Sequence, residues 1–332
     1  MEEENGMAMI EPITSSKKKN KASRKQKSFR LGYDFRTQLE LKTMLLPAVF
    51  LIFLFDFTPL FGLLMAFKDF EPVMGVKGIF TADWNGMAHF KRLFTNFQFW
   101  PMIRNTLGIN LLGAAVSIPC TLLFALLLNE IRNSRFKAVV QTVTYLPHFL
   151  SWVIFGGLFI TLLNSDGIVN YVLLQLGFID SPLQFLADPK YFWGVAIATG
   201  LLKDLGWGAI LYLAAMAGVD QSLHEAAAID GAGRFKRMLH VTIPGILPTL
   251  MVLIIFAVSG MLNNNFTQIY VLQNTLNLPA SQVIDTYVYQ TGLLNFQFSS
   301  ATAIGLTKSV FALVLLVGSN WVSNKITKTG LF

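Results

Sequence analysis

Little in this chain equips it for chemistry of its own. Of its 332 residues one is cysteine, four are histidine and only 14% are charged. A lone Cys120 excludes a disulfide framework, a cysteine zinc site and an iron–sulfur cluster, each of which needs at least a pair of thiols. His89, His148, His224 and His240 are scattered, with no two spaced for one helix face, so no metal site is expected. A G-x-x-x-x-G-K-[ST] phosphate loop is also missing, so ATP hydrolysis by that route is not expected of this chain. The charged fraction falls well below the roughly 25% of an average soluble domain, while 53% of residues are hydrophobic. This combination excludes an ordinary soluble enzyme and points to an integral membrane protein.

What the chain does have is apolar length. Crossing about 30 Å of hydrocarbon takes roughly 20 residues of helix, and six runs qualify: Met44 to Phe67, Thr106 to Leu128, Ala138 to Leu163, Phe192 to Gly218, Ile246 to Leu272 and Ala301 to Val322. The expected fold is all-α, a polytopic membrane protein with six transmembrane helices over residues 44–322 and no separate soluble domain. Pro59, Pro119, Pro147, Gly200, Gly206 and Gly260 lie inside or at the ends of these runs and predict kinks, which neighbouring helices can tolerate by re-satisfying the backbone.

Charge gives the orientation. With an even number of spans both termini share a side, and that side carries 18 Lys and Arg residues against six on the other. The positive-inside rule assigns both termini to the cytoplasm of a cell (plasma or inner) membrane. Residues 1–43 form a basic tail with ten basic and six acidic residues, so the net charge of +7 reports topology and contact with anionic membrane lipid, not nucleic acid. The tail leads into a span too long for a cleaved signal sequence, so that span is expected to be retained. Residues 323–332 form the second cytoplasmic tail. Outside, 68–105 is rich in aromatics and 164–191 opens on a turn; both suit short interfacial helices.

The loop 219–245 carries the most information. Asp220 or Ser222 can cap a short helix through Glu225 to Ile229, with Glu225 near its positive end. Asp230-Gly231 then breaks it with a left-handed turn. A second helix from Arg234 places Phe235, Met238, Leu239 and Thr242 near one face, and Pro244 sets the entry to the fifth span. On spacing alone this helix–turn–helix could be a partner-docking element or a solvated linker.

Glu225-Ala226-Ala227, Asp230-Gly231-Ala232 and Ile243-Pro244 resemble the cytoplasmic coupling motif of binding-protein-dependent ABC importer permeases, E-A-A-x-x-D-G-A followed at fixed distance by an aliphatic residue and proline. The likeness extends over roughly residues 35–332: Asn105-Thr106-Leu107, Leu146-Pro147-His148-Phe149, Ser151-Trp152, Asp166-Gly167, Asp285 to Tyr289 and Ala303 to Leu306 look like the maltose and multi-sugar permeases, most closely their oligosaccharide or polysaccharide subgroup. Met238 stands where the family often has an aromatic, and Ile243 where leucine is usual; both keep the apolar character. The resemblance implies a type I ABC importer permease fold and several partners: a second, related permease, two ATPase subunits that use ATP and Mg, and an extracytoplasmic solute-binding protein. It also implies an oligosaccharide substrate and no cofactor bound by this chain.

Inside the spans, ionisable and amide side chains are the candidates for a substrate path, because they are costly in hydrocarbon. Asp56 lies in the outer half of the first span, and Lys203 and Asp204 near the middle of the fourth, where structural pairing with other helices competes with substrate contact. Asn263, Asn264, Asn265, Gln268 and Tyr270, with Phe266 among them, combine amides for sugar hydroxyls with aromatic faces for the ring; the same residues could be interhelical polar glue. The alternative reading is a secondary transporter or a membrane-embedded enzyme using Asp56, Lys203 and Asp204. It is weakened by the lack of an evident internal repeat or nucleophile–base pairing.

Overall fold

The computed structural model describes residues 35–327; the basic run Lys17 to Lys27 lies outside them. The described residues are built from helices in the order α1 (Phe35–Ile52), α2 (Gly75–Thr81), α3 (Ala88–Thr95), α4 (Phe99–Glu130), α5 (Ser134–Phe149), α6 (Trp152–Leu162), α7 (Ile168–Gln175), α8 (Pro189–Ala217), α9 (Gln221–Ile229), α10 (Arg234–Arg237), α11 (Ile243–Ser259), α12 (Phe266–Leu272), α13 (Leu278–Ser281), α14 (Ile284–Tyr289) and α15 (Phe298–Thr327). Among these residues the strand-like pairing is a single isolated bridge between Lys68 and Trp84. Five helical stretches are long and apolar enough to cross a membrane: Leu39–Phe67, Phe99–Glu130, Pro189–Ala217, Arg234–Ser259 and Phe298–Trp321. A bent pair, α5 with α6, makes the sixth.

Of the described residues, 35–59 belong to a unit of their own. In it α1 passes into a π-turn, Phe53–Phe57, where the Thr58 N–H reaches back to the Phe53 carbonyl. The second unit, from Leu60 onward, packs α4 along α8 and α5 across α8, with α11 against α15. Phe192 of α8, Ile109 of α4, and Ile269 and Val283 beyond the fifth span form one core cluster. Another joins Leu126 of α4, Tyr212 and Met216 of α8 and Ile246 of α11. Close approach depends on Gly206, where a Cβ would come within 2.3 Å of the Thr144 carbonyl oxygen of α5.

Buried polar side chains fasten the connections to this bundle. Asn105, fully buried, donates to the carbonyls of Pro279 and Gln282 at 3.0 and 3.1 Å. The neighbouring Thr106 hydroxyl accepts the Ile284 N–H at 3.0 Å. Asn170 binds the Leu183 backbone at both its N–H and its carbonyl, closing the segment between α7 and α8. The short helices expected in 68–105 and 164–191 are present as α2, α3 and α7.

Two spans differ from expectation. The run Ala138 to Leu163 is not one kinked helix: α5 and α6 meet at 101°, with Leu150 and Ser151 extended between them and the Ser151 hydroxyl capping α6 through the Ile154 N–H. Pro147 cannot donate to the ladder, and the polar cap restarts the helix in a new direction. The run Ile246 to Leu272 is likewise interrupted. Its helix ends at Ser259, turns at Gly260, and resumes only where the Asn265 side chain caps α12 by accepting the Gln268 N–H. Pro119, by contrast, sits inside an unbroken α4.

Candidate functional site

The loop 219–245 folds as a helix, a tight turn and a second helix that continues into the fifth span. Asp220 caps α9, its Oδ1 accepting the Ser222 N–H at 2.9 Å. The Ser222 N–H and hydroxyl hold the Asp220 carboxyl below the usual carboxylate range. The cap is therefore present above that range and weakens only as acid titrates the carboxylate, so it is intact at neutral pH. At the far end Gly231, at φ 77°, gives its N–H to the Ala228 carbonyl while the Ala232 N–H reaches Ala227. That is a Schellman stop with glycine at its left-handed position.

The second helix begins at Arg234 and runs to Ser259 as one apolar span. It absorbs Pro244 through a π-turn, Met238–Thr242, in which the Ile243 N–H bonds the Met238 carbonyl. The shifted register accommodates a residue that has no N–H of its own and would crowd the carbonyl four residues back. Met238 and Ile243, the two departures from the family pattern, pack on the Tyr212–Met216–Ile246 cluster and so tie the loop to the bundle. Leu223, Ile229 and Phe235 are exposed, Ile229 at 87% and Phe235 at 76%. Glu225 is exposed as well.

A model of the family described as binding-protein-dependent transport system inner membrane component matches residues 109–328, a stretch containing this whole element. The chain belongs to that family. The permease is also 39% identical over 290 residues to Protein LplB of Bacillus subtilis (strain 168), covering 87% of this chain and 90% of that one. It is 38% identical over 310 residues to the polygalacturonan/rhamnogalacturonan transport system permease protein YteP of the same organism, covering 93% and 95%. Among solved structures it resembles a chain of a bacterial ABC transporter involved in the import of the acidic polysaccharide alginate. That match has a TM-score of 0.80 and 34% identity, and covers 89% of this chain and 98% of that one. A second structure shows the alginate transporter in complex with an alginate pentasaccharide-bound periplasmic protein, with TM-score 0.80, 35% identity and coverage of 91% and 100%. The permease is thus a multi-pass membrane component of a transport system, as the sequence predicts, and the enzyme and secondary-transporter readings fall away.

The permease's ionisable span residues divide by partner. Lys203 is buried, and its Nζ donates to the carbonyls of Pro147, His148 and Leu150 at 2.9, 2.8 and 2.6 Å, with the rings of Trp152 and Phe155 beside it. Three ammonium donors thus meet three carbonyls at the α5–α6 break. Lys203 is committed to holding that break and has no donor left for substrate. Asp204 reaches the same region by another route, pairing with His148 Nδ1 at 2.7 Å, while the His148 ring stacks on Trp207 at 4.4 Å. Asp204 remains half exposed and lines a groove between α4 and α8 with Ser117, Gly200 and Gly208. Asp56 lies in the separate N-terminal unit, exposed within its π-turn.

The asparagine cluster proves to be a turn and not part of a span. Asn263 is exposed and lines a groove with Ser259, Lys308 and Ser309. Asn264 keeps its side-chain oxygen buried with no hydrogen-bond partner among the described residues. Tyr270 stacks on Phe266 and meets Tyr289 edge-on, each with ring centroids 5.3 Å apart, giving a joined aromatic surface. Asn265 is used as the α12 cap. Gln268 is buried and donates to the Ala196 carbonyl and the Thr199 hydroxyl of α8 at 2.6 and 3.1 Å; it is the interhelical glue of the two roles weighed for it.

Three further residues escaped assignment from sequence. His148 shares the α5–α6 break with Lys203. Asp285 and Lys308 form an ion pair next to the asparagine turn. An unpaired ionisable residue within an apolar run was the available signal for Lys308, but its partner lies outside any span.

Proposed function

We propose that this permease forms one membrane half of an ATP-driven, binding-protein-dependent importer of oligosaccharides or polysaccharide fragments. It acts with a second, related permease, two ATPase subunits that use ATP and Mg, and an extracytoplasmic solute-binding protein, with both termini and the loop 219–245 in the cytoplasm. The observation that carries the coupling half of this reading is the exposure of large apolar side chains on the loop. Leu223, Ile229 and Phe235 are exposed on a capped, sharply stopped element continuous with a span, and a partner surface would cover them. Residues Glu225 to Pro244 then transmit ATP-driven closure to the spans. The saccharide half is supported by the names of the relatives and by the amides of Asn263 and Asn264, close in sequence to the Phe266–Tyr270–Tyr289 aromatic surface.

The test is uptake of a labelled trigalacturonate probe into vesicles holding the reconstituted complex. Uptake is expected to require ATP and the binding protein and to persist when ion gradients are collapsed. Asn263→Ala with Asn264→Ala is expected to lower it about tenfold, the loss of one or two hydrogen bonds to hydroxyls, while leaving assembly intact. Gln268→Ala is expected instead to reduce the amount of folded protein. Uptake that continues without ATP, or is unchanged in the asparagine double variant, would count against the reading.

A further inference from the structure

The turn between α11 and α12 is held at two points. From α4, Asn110 Nδ2 donates to the Met261 carbonyl at 2.7 Å. From the first turn of α14, Asp285 Oδ2 accepts the Asn264 N–H at 3.2 Å. The other oxygen of that carboxylate receives the ammonium of Lys308 on α15. Both charges are largely enclosed, with side-chain exposures of 22% for Asp285 and 16% for Lys308. An enclosed ion pair is weak evidence for stability, since desolvation offsets much of its attraction. Here one member also fixes the Asn264 backbone amide in the turn between two helices.

The pair also borders the surfaces already described. Asp285 lines a groove with Phe266, Tyr289 and Thr302, and Lys308 lines the groove shared with Asn263. We propose that Asp285 and Lys308 are positioning residues for the substrate path. Lys308 orients the Asp285 carboxylate, the carboxylate anchors the Asn264 backbone amide, and the anchored turn sets where Asn263 stands in the groove it shares with Lys308. This inference rests on the reading of that turn as a saccharide contact. The pair itself touches no sugar; it sets where the amides stand.

Hydrogen exchange across residues 260–266, measured on the complete transporter in lipid nanodiscs without substrate, tests the anchor independently of uptake. Asp285→Ala and Lys308→Met are each expected to speed exchange there by about tenfold, as local opening is no longer restrained, while the α5–α6 break exchanges as in the parent. The half-saturating concentration for trigalacturonate uptake is expected to rise with maximal uptake largely kept. The charge-reversed variant Asp285→Lys with Lys308→Asp separates positioning from a simple strut. It restores an ion pair but offers the Asn264 N–H no acceptor, so exchange is expected to stay fast and half-saturation to stay high. Slow exchange and parental uptake in the reversed variant, or unchanged exchange in Asp285→Ala, overturns the proposal. If Asn263→Ala with Asn264→Ala leaves uptake untouched, the saccharide reading fails while the exchange result still decides the anchor.

Discussion

Replacing Gly231 by proline is expected to abolish coupling while leaving the permease inserted and folded. Gly231 sits at φ 77° and donates its N–H to the Ala228 carbonyl. Proline fixes φ near −65° and has no N–H to give, so the Schellman stop is lost and α9, with its exposed Leu223 and Ile229, is re-aimed. The span that follows is anchored separately, through Met238 and Ile243 on the Tyr212–Met216 cluster, which is why insertion survives. Glu225→Ala probes the same junction without touching its shape. The carboxylate is exposed, and its removal at such a site changes stability by no more than about 0.5 kcal/mol. A lost charged contact to a partner, about 1.5–3 kcal/mol, lowers coupling about tenfold or more. Substrate-stimulated ATP hydrolysis by the assembled transporter measures both, and parental stimulation in both variants would contradict the assignment of the loop.

Lys203→Met is expected to cost the fold itself. The side chain is nearly isosteric, so packing around Trp152 and Phe155 is kept, but the carbonyls of His148 and Leu150 at the α5–α6 break lose their lysine donor at once, while that of Pro147 keeps the Leu150 N–H. Each buried acceptor left unmet costs about 1–3 kcal/mol. Two such losses are a large fraction of the stability of an ordinary domain, about 5–15 kcal/mol. The amount of protein in the membrane and its thermal unfolding midpoint in detergent should both fall sharply. Asp204→Asn, whose partner His148 is also held by stacking on Trp207, is expected to leave both nearly unchanged. Parental amounts and midpoint for Lys203→Met would show that the break is held some other way.

The two cases differ in how far they could be read in the sequence. The loop 219–245 is local: an acidic cap, an Asp-Gly stop and a proline entry all act within a few residues of themselves, and the observed caps and turn follow their spacing. The α5–α6 break is not local. Pro147 signals a kink, but a 101° turn requires a donor for the freed carbonyls, and that donor lies 53–56 residues away on another helix. In sequence Lys203 is therefore a span charge open to structural pairing or substrate contact, with nothing to name its partners. The asparagine turn was hidden for a related reason. Flanking apolar residues carry a hydropathy window straight through Asn263 to Asn265, whereas the side chains there cap α12 and expose Asn263 instead of continuing the helix. Asp285 belongs to a legible stretch, yet its pairing with Lys308 depends on how α14 meets α15. That is a tertiary fact with no periodicity to report it.

The loop 219–245 is proposed as the place where an ATPase drives this permease. A photo-crosslinking side chain placed at Ile229, in membranes containing the assembled transporter, tests that role. A covalent product with the nucleotide-hydrolysing subunit is expected, and none with that subunit from the same probe at Phe97, between α3 and α4. A product from Phe97 and none from Ile229 would contradict both the coupling role and the orientation on which it stands.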